Sequence, residues 1–379
     1  MNTKYISACA FSWVIAGTIS TPLLAGWTVT YLKPGGATYS AAYGVSGGSQ
    51  VGYATPSGGS PHAGLWRGTA ESWVDLNPVG WDESMAFAAW GENQAGYVAS
   101  ALTNYRHHAS LWTRTAASWV DLHPAGLIRS GVNGMSAGQQ AGYAAGMATG
   151  LKVHASLWTG TADSWVDLHP SGWSESVAFA VSDGQQVGVV RNTTTDLIEH
   201  ASLWTGAAGN WVDLNPAGSE GSHAYGVSDG QQVGDAYGRD VNGAWFAYAS
   251  VWSGTAVTWT QLNPAGCSGS IAFAASRGWQ VGYAGGDATG NQAHASLWRG
   301  TAASWVDLHT YLLPGYTRSE GHAVEVTGND AWVAGFAQNS ETGQEDAVLW
   351  HYVVPEPSSL AALGLALAGV GIGVVRRRG

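Results

Sequence analysis

Several residue types are scarce in this chain of 379 residues, and each scarcity argues against a class of protein. Charged residues make up only 11% and lysine is nearly absent, so Ser, Thr, Asn, Gln and His must solvate most of the surface. The only cysteines are Cys9 and Cys267, too few for a disulfide scaffold. The chain has no Walker loop, HExxH, CxxC or nucleophile-elbow signature. We therefore predict no cofactor and no metal.

The N-terminus predicts a secretory signal peptide over residues 1–25. Lys4 precedes a mostly apolar run from Ile6 to Ile15, and the small residue Ala25 stands before Gly26. A buried first helix is the alternative interpretation. Cleavage of a signal peptide would remove Cys9 and leave no partner for an intramolecular disulfide.

Tryptophan and glycine, in contrast, are abundant, with 21 and 54 residues. Pairs of tryptophans seven residues apart recur six times: Trp66/Trp73, Trp112/Trp119, Trp158/Trp165, Trp204/Trp211, Trp252/Trp259 and Trp298/Trp305. Successive pairs are spaced by 46, 46, 46, 48 and 46 residues. A fixed period in the 40s, with short β-type runs between Gly and Pro, is typical of a radially repeated all-β fold, because one unit cannot bury its own apolar faces.

Each unit contains four β-type runs, which is the content of a propeller blade. The runs read as a small apolar segment such as Ser176 to Val181, then Gly-Gln-Gln-Val-Gly, His-Ala-Ser-Leu-Trp and Ser-Trp-Val-Asp-Leu. The small residues of the first run predict an innermost strand at an axis too crowded for large side chains. The tryptophans are predicted to fill the gaps between sheets, each burying roughly 150 to 250 Å².

The two ends of the repeat region predict ring closure. Residues 316–350 supply three runs of a last unit, and Trp27 to Gly36 supplies an unpaired fourth run. We therefore predict a seven-bladed β-propeller over residues 26–353, closed by pairing of the N- and C-terminal strands, which removes open sheet edges. The register of Trp27 stays open at this stage, because it lies two residues farther from its proline than most of its counterparts.

Two residue types repeat at positions where chemistry could occur. The histidines are His62, His108, His154, His200 and His294, and the aspartates are Asp75, Asp121, Asp167, Asp213 and Asp307. Zinc needs three or four ligands converging on one ion, and glycoside hydrolysis needs two carboxylates in one cleft. Residues that recur once per blade are spread around a ring, so we interpret both sets as structural.

Differences between blades carry more functional information than the repeat. The connection between the second and third runs varies most, and loops on a rigid scaffold commonly carry binding residues. The candidates are Tyr105, Arg106, Arg191, Arg239, Asp240, Trp245 and Phe246. The segment from Asp240 to Gly243 resembles part of a calcium loop but lacks the closing glutamate, so we interpret it as a turn.

The C-terminus carries a sequence with three ordered parts. Val354, Pro355, Glu356 and Pro357 precede an apolar stretch from Leu360 to Val375, and Arg376, Arg377 and Arg378 follow. Sixteen helical residues span roughly 24 Å, which is marginal for a membrane core of ~30 Å, and the arginines would stay cytoplasmic. A plain transmembrane anchor is the alternative.

This arrangement resembles the PEP-CTERM sorting signal of Gram-negative bacteria. The resemblance covers residues 354–379 and implies a hydrophobic sorting helix, recognition by an exosortase-type membrane enzyme and transient membrane association. It also implies delivery to the cell surface or the extracellular matrix.

The interior repeats resemble the probable extracellular HAF repeats. The match consists of Gly-Gln-Gln-Val-Gly followed by His-Ala-Ser-Leu-Trp, as at His154 to Trp158. The aromatic residue of the family phrase is Ser in five units and Gly64 in the first. This resemblance implies a secreted repeat protein and supplies no reaction.

Net charge narrows the choice of partner. Loss of the signal and of the tail from Pro355 onward removes Lys4, three arginines and Glu356, which leaves 11 basic and 25 acidic residues and a net charge of about −14. Such a chain repels phosphate backbones, so we expect no nucleic acid partner. We expect instead a non-enzymatic secreted or cell-surface protein that binds extracellular polysaccharide or a surface protein. The alternatives are a propeller hydrolase or lyase acting on polysaccharide, with unlike residues gathered at the channel mouth, and a lectin with one site per blade.

The tail yields the first testable prediction. A chain ending at Tyr352 should fold normally but escape into the medium or periplasm, because the sorting signal is absent. Fractionation of the native host and thermal melting measure the two parts of this expectation. Mass spectrometry of the full-length protein is the control, and an intact terminus from Arg376 to Gly379 in the mature protein would instead indicate a permanent anchor.

Overall fold

The computed structural model describes residues 26–192, 198–239, 242–328 and 330–353. The predicted signal peptide, residues 1–25, and the predicted sorting segment, residues 354–379, lie outside the described residues. Residues Trp27 to Tyr352 form one compact unit, built from four-stranded antiparallel sheets. The described strands form seven such sheets, which confirms the all-β, seven-bladed propeller predicted from the repeat.

The strands, numbered in chain order, are grouped here by blade from the innermost strand outward. Blade 1 holds β2 (Ala37–Ser46), β3 (Ser49–Pro56), β4 (His62–Trp66) and β5 (Val74–Asp75); blade 2 holds β6 (Glu83–Trp90), β7 (Asn93–Ala99), β8 (His108–Thr113) and β9 (Val120–Asp121); blade 3 holds β10 (Leu127–Ser136), β11 (Gln139–Gly146), β12 (Val153–Trp158) and β13 (Val166–Asp167). Blade 4 holds β14 (Glu175–Ser182), β15 (Gln185–Asn192), β16 (Ile198–Trp204) and β17 (Val212–Asp213); blade 5 holds β18 (Gly221–Ser228), β19 (Gln231–Arg239), β20 (Trp245–Trp252) and β21 (Thr260–Gln261). Blade 6 holds β22 (Gly269–Ser276), β23 (Trp279–Gly285), β24 (His294–Trp298) and β25 (Val306–Asp307); blade 7 holds β26 (Tyr316–Thr327), β27 (Asp330–Asn339), β28 (Glu345–Val353) and β1 (Gly26–Tyr31).

Short 3₁₀ helices occupy the connections. Those between third and fourth strands are Ala70–Ser72, Ala116–Ser118, Ala162–Ser164, Ala208–Asn210, Ala256–Thr258 and Ala302–Ser304. Those between second and third strands are Ala101–Thr103, Met147–Thr149 and Asp287–Thr289, and Leu308–Tyr311 follows β25. Among the residues that the structure describes, no helix is long and apolar enough to cross a membrane.

Strand β1 closes the ring as the outer strand of blade 7, next to β28. Leu32 N donates to Ala347 O at 2.8 Å, the same bond that Leu76 N makes to Ala63 O in blade 1. Leu32 therefore occupies the position of the repeated leucine, which settles the open register. Trp27 lies beyond that repeat position and packs against Tyr352, with ring centroids 5.2 Å apart.

The third-strand tryptophans form the core, as the repeat predicted. Trp66, Trp112, Trp158, Trp204, Trp252, Trp298 and Trp350 are all fully buried. The second tryptophan of each pair has a different task, seen where Trp119 Nε1 donates to Ser110 Oγ at 3.0 Å. This bond gives the serine of the His-Ala-Ser-Leu-Trp phrase a structural role. In blade 1 the ring of Trp73 fills the space that a side chain at Gly64 would need.

The prediction that large side chains do not fit at the axis is wrong. Each innermost strand has a register shift, a β-bulge, and its extra residue faces the central channel. These residues are Tyr43, Phe87, Asn133, Phe179, Tyr225, Phe273 and His322. The small residues occupy the paired positions, where strands approach closely. At Gly52, for example, a Cβ would overlap the carbonyl oxygen of Ala41.

One buried serine connects each blade to the next. The third-strand amide of one blade donates to a serine hydroxyl on the innermost strand of the following blade. The bonds are Ala63 to Ser84, Ala109 to Ser130, Ala155 to Ser176, Ala201 to Ser222, Ala249 to Ser270, Ala295 to Ser319 and, across the closure, Ala347 to Ser40, all between 2.9 and 3.0 Å. The repeat therefore encodes the contacts between blades as well as the blades.

Closure by β1 yields a second prediction. Leu32→Ala should lower the free energy of unfolding by about 2 to 5 kcal/mol, because it leaves a cavity beneath a strand that closes the ring. Leu313→Ala, at a 65% exposed residue, is the control and should change it by less than about 0.5 kcal/mol. Thermal or urea melting measures both. Equal melting of the two variants would show that β1 does not hold the ring closed.

Candidate functional site at the channel mouth

One face of the propeller, called here the loop face, carries the connections between second and third strands. The described residues of these connections are 57–61, 100–107, 147–152, 242–244, 286–293 and 340–344. The antiparallel order places the starts of the innermost and third strands at this same face. Residues that differ from the repeat at these strand ends therefore lie around one opening.

The repeated histidines and aspartates lie at the loop face and pair within their own blades. His154 Nδ1 is 2.8 Å from Asp167 Oδ2, and the other four pairs lie at 2.7 to 3.2 Å. The second oxygen of Asp167 accepts the amide of His169, whose ring contacts the linking serine Ser176. These contacts support the structural interpretation, because each pair fixes the end of an outer strand.

Unlike residues gather first between blades 4 and 5, in a group called here the blade 5 cluster. Arg191 Nε lies 2.6 Å from Glu199 Oε1. Glu199 Oε2 lies 3.2 Å from His223 Nε2 and accepts a bond of 3.2 Å from the Tyr237 hydroxyl. His223 Nδ1 is 3.1 Å from Asp235 Oδ1, and Asp235 is buried.

The blade 5 cluster is charged at neutral pH. Burial alone would lower the pKa of His223, but its bonds to Asp235 and Glu199 outweigh burial and raise that pKa to about 9. The bond from His223, helped by Arg191, lowers the pKa of Glu199 to about 2 against the effect of burial. Every charge has a partner, so this cluster fixes positions and does not exchange protons near pH 7.

A second group, called here the blade 7 cluster, consists of Arg318, Glu320, His322 and Glu345. Arg318 Nη2 donates to Glu320 Oε1 at 2.7 Å, and His322 Nε2 lies 3.2 Å from Glu320 Oε2. Burial opposes ionisation of Glu320, but these two neighbours lower its pKa. Burial raises the pKa of Glu345, and Glu320 adds to the rise. No hydrogen bond or ion pair engages the Glu345 carboxyl within the described part of the chain.

Aromatic rings connect the two clusters along the inner wall. Ring centroids lie 5.4 Å apart from His223 to Tyr225, 5.5 Å from Tyr225 to Phe273, 4.6 Å from Phe273 to His322 and 4.9 Å from His322 to Tyr43. We call this arc, with both clusters and with Tyr283 of blade 6, the channel mouth. The charges of Asp235 and Glu320 both act on the Tyr283 hydroxyl, so Tyr283 lies between the clusters.

Two cavities border the channel mouth. The channel cavity holds about 170 Å³ and is lined by the seven bulge residues. A cleft of about 280 Å³ lies beside Tyr283, with a floor that includes Gly269, Gly285 and Gly286 and polar walls from Asn291 and Gln292. Within the residues that the structure describes, no three His, Cys, Asp or Glu side chains are arranged to hold a metal ion.

The structure brings several of the predicted site residues to one place. Arg191 belongs to the blade 5 cluster, and Arg239 lies over the ring of Trp245 at 4.5 Å, beside Tyr237. Trp245 is 59% exposed. Phe246 stacks on Tyr248 at 4.7 Å within β20.

The other candidates lie elsewhere. Tyr105 and Arg106 belong to the blade 2 connection and are exposed, away from both clusters. Asp240 lies outside the described residues, as do Val354, Pro355, Glu356, Pro357, Arg376, Arg377 and Arg378.

Sequence reasoning missed most of the charged site residues. His223 and Glu320 stand where the other blades have Ala41, Met85, Gly131, Val177 and Ile271, and Asp235 stands where most blades have an aromatic residue. A charged residue at a repeat position that is apolar in the other blades is the sequence signal that identifies these site residues. Differences between connections supplied the predicted candidates, whereas the informative differences between blades lie inside the strands.

Comparisons with known proteins identify the tail and the fold. Residues 353–378 match the PEP-CTERM protein-sorting motif, which indicates an exported protein with transient membrane anchoring and implies recognition by an exosortase. No curated protein sequence matches the chain.

The propeller is similar in shape to several solved structures. They include a puromycin hydrolase mutant complexed with PGG (TM-score 0.52, 12% identity, 81% of this chain and 53% of that chain), a puromycin-hydrolyzing peptidase from Mycobacterium tuberculosis (0.52, 13%, 83% and 55%) and the β-propeller domain of the Trilobed protease from Pyrococcus furiosus (0.50, 8%, 83% and 94%). The chain spans about half the length of the two puromycin-hydrolysing chains. At these identities the likeness shows the fold alone.

These neighbours correct one prediction. The expectation that the protein is not an enzyme is contradicted, because propellers of this shape form part of two hydrolases and a protease, so the fold gives no ground for excluding an enzyme. That expectation depended on the sorting tail, the absence of a catalytic signature and the near-equivalence of the blades. The clusters show that the blades are not equivalent where they meet the channel.

The blade 5 cluster yields a prediction of pH dependence. His223 has a pKa of about 9 in the folded chain against an ordinary pKa of 6.5, so its stabilisation is complete below pH 6.5 and is lost as pH rises through 9. The wild type should therefore exceed His223→Gln in stability by roughly 3 kcal/mol at most near pH 6, with the difference shrinking by pH 9.5. Urea unfolding at several pH values measures it. A difference that stays constant would show that His223 is not held protonated by its two carboxylates.

Proposed function

We propose that this chain is an exported cell-surface propeller that binds polysaccharide across its channel mouth. The observation that carries the proposal is the convergence of two unlike charged clusters at one opening. The sorting motif supports the location, since it indicates export. We also propose residues 1–25 as a signal peptide, residues 354–379 as a segment removed by an exosortase, and the interior units as HAF-like repeats.

The chemistry of the mouth favours a polyhydroxylated ligand. Carboxylates, a guanidinium group, imidazoles and tyrosine hydroxyls supply hydrogen-bond donors and acceptors, and aromatic rings supply apolar surface. The acidic net charge of the chain opposes binding of phosphate backbones. Sugar hydroxyls can bond to both the donors and the acceptors of the mouth, and they carry no phosphate charge.

The shape of the mouth favours binding across it. The channel cavity of about 170 Å³ is smaller than the roughly 300 to 1,000 Å³ of typical small-molecule pockets. The cleft beside Tyr283 is larger and borders the loop face, with Asn291 and Gln292 as its polar walls. A chain of sugars could place one unit in this cleft and its neighbours over the two clusters.

Trp245 extends this surface outward. Its ring is 59% exposed, and one face is covered by Arg239, which fixes its orientation. An exposed tryptophan whose orientation is already fixed offers a flat apolar surface and loses little conformational entropy on binding, as in many binding hot spots. Protein partners use the same type of residue, so a surface protein is the competing ligand.

A hydrolase or lyase acting on polysaccharide is the second candidate. The observation in its favour is the Glu345 carboxyl, which lies near the ionised Glu320 and has no partner of its own in the described residues.

The binding proposal is tested with a matched pair of variants. Trp245→Ala should weaken binding of the host's extracellular polysaccharide at least tenfold, because a hot-spot aromatic contributes about 2 kcal/mol or more. Tyr105→Ala removes an aromatic residue of nearly equal exposure, 58%, on the same face and should leave binding unchanged. Affinity electrophoresis with the purified polysaccharide measures both.

Two outcomes would contradict the proposal. Equal loss in both variants would show that binding does not centre on blades 4 and 5. Retention of a host surface protein, with no affinity for the polysaccharide, would assign the face to a protein partner.

A further inference from the structure

Two carboxyl groups of the channel mouth have opposite environments. Glu320 is 13% exposed in its side chain and lies between Arg318 Nη2 and His322 Nε2, at 2.7 and 3.2 Å. Glu345 has neither contact, although the charges of Arg318, Glu320 and His322 all reach it. One carboxyl is thus held ionised, and the other is left close to it without a direct cation contact.

The strand order places these carboxyls two strands apart in blade 7. Glu320 lies on the innermost strand β26 and Glu345 at the start of the third strand β28, with β27 between them. Two strand spacings amount to roughly 9.5 Å between backbones. Glutamate side chains that lean toward one another across such a gap can reach the ~5 to 9.5 Å that glycoside hydrolysis requires.

Blade 1 forms the opposite wall of this site. Tyr43 and Tyr53 stack at 6.1 Å, and the charge of Glu345 acts on both hydroxyls. Tyr43 also meets the His322 ring edge-on at 4.9 Å. The two carboxyls therefore face aromatic rings across a gap between blades that opens into the channel.

We propose that Glu345 and Glu320 are the acid and base of a glycoside hydrolase site at the channel mouth. This inference rests on the proposed binding of polysaccharide and adds a reaction to it. The blade 5 cluster would hold the neighbouring part of the glycan, because its own groups are mutually paired and have no role left in proton transfer.

The reaction consumes one water molecule and balances in two proton movements. Glu345 gives its proton to the glycosidic oxygen as the bond from that oxygen to the anomeric carbon breaks. Water adds to the anomeric carbon, and Glu320 takes the proton that this water loses. Transfer of that proton through solvent to Glu345 restores both groups, and the products are two sugars with one new reducing end.

The environments of the two groups set the pH dependence. The site needs Glu320 ionised and Glu345 protonated, and their pKa values are respectively below and above the ordinary 4.5. Activity should therefore be highest in mildly acidic solution and decline toward neutral pH as Glu345 loses its proton. The other titratable groups facing this pair are Arg318, His322, Tyr43, Tyr53 and Tyr283.

The test uses the exported propeller and the host's extracellular polysaccharide. Wild type should release reducing ends without the ultraviolet absorbance of unsaturated sugars. Glu345→Gln and Glu320→Gln should each slow release by about 10² to 10⁴-fold. The control is Glu341→Gln, the same change at an exposed residue of the neighbouring connection, which should keep full activity. Binding of the polysaccharide and thermal melting are measured for each variant.

The outcomes separate this inference from the binding proposal. If folded Glu345→Gln releases reducing ends slowly but still binds the polysaccharide, the result supports both the hydrolase site and the binding proposal. Binding by the wild type with no reducing ends between pH 4 and 8 overturns the hydrolase site and leaves the binding proposal intact. Unsaturated products would assign a lyase reaction and overturn hydrolysis, and absence of binding would overturn both proposals.

Discussion

The buried serine that accepts a third-strand amide from the preceding blade is the interaction on which the ring depends. It occurs seven times with nearly one length, from Ala63 to Ser84 through Ala347 to Ser40. Six of these serines also contact the residue after the outer-strand leucine, for example Asn77 through its Oδ1 and His123 through its Nδ1. Two fixed contacts per interface set the angle between neighbouring blades. Buried polar groups that find every partner specify one arrangement, because a slipped arrangement would leave them unsatisfied.

The ring is closed by the same amide-to-serine hydrogen bond that links the other blades, so closure needs no different kind of contact. Ser40 receives Ala347, and Leu32 repeats the backbone bond of Leu76. A rigid ring in turn fixes the positions of the residues that line the central channel. Because all seven innermost strands bulge at the same position, the residues there form one level around the channel, and a change from phenylalanine to His322 alters the mouth without altering the frame.

The sequence predicted features that repeat and missed features that occur once. The spacing of Trp66 and its counterparts predicted the blades and their core, because burial of a large ring in every unit imposes a period, and the unpaired runs at the two ends predicted the seventh blade. The bulge could not be predicted, since a phenylalanine within Ser-Val-Ala-Phe-Ala-Val has no separate signal for an extra residue. The blade 5 cluster was missed because Glu199 and His223 are 24 residues apart and meet only across a blade boundary. Arg191, Arg239 and Trp245 were predicted, because they lie at the strand ends next to the variable connections.

The most direct test of the whole account is a crystal structure of Glu345→Gln soaked with an oligosaccharide from the host's extracellular polysaccharide. The account predicts sugar density across the channel mouth, with one glycosidic oxygen beside residue 345 and an adjoining sugar in the cleft near Tyr283. Density over the blade 2 connection around Tyr105, or at equivalent positions on every blade, would contradict it.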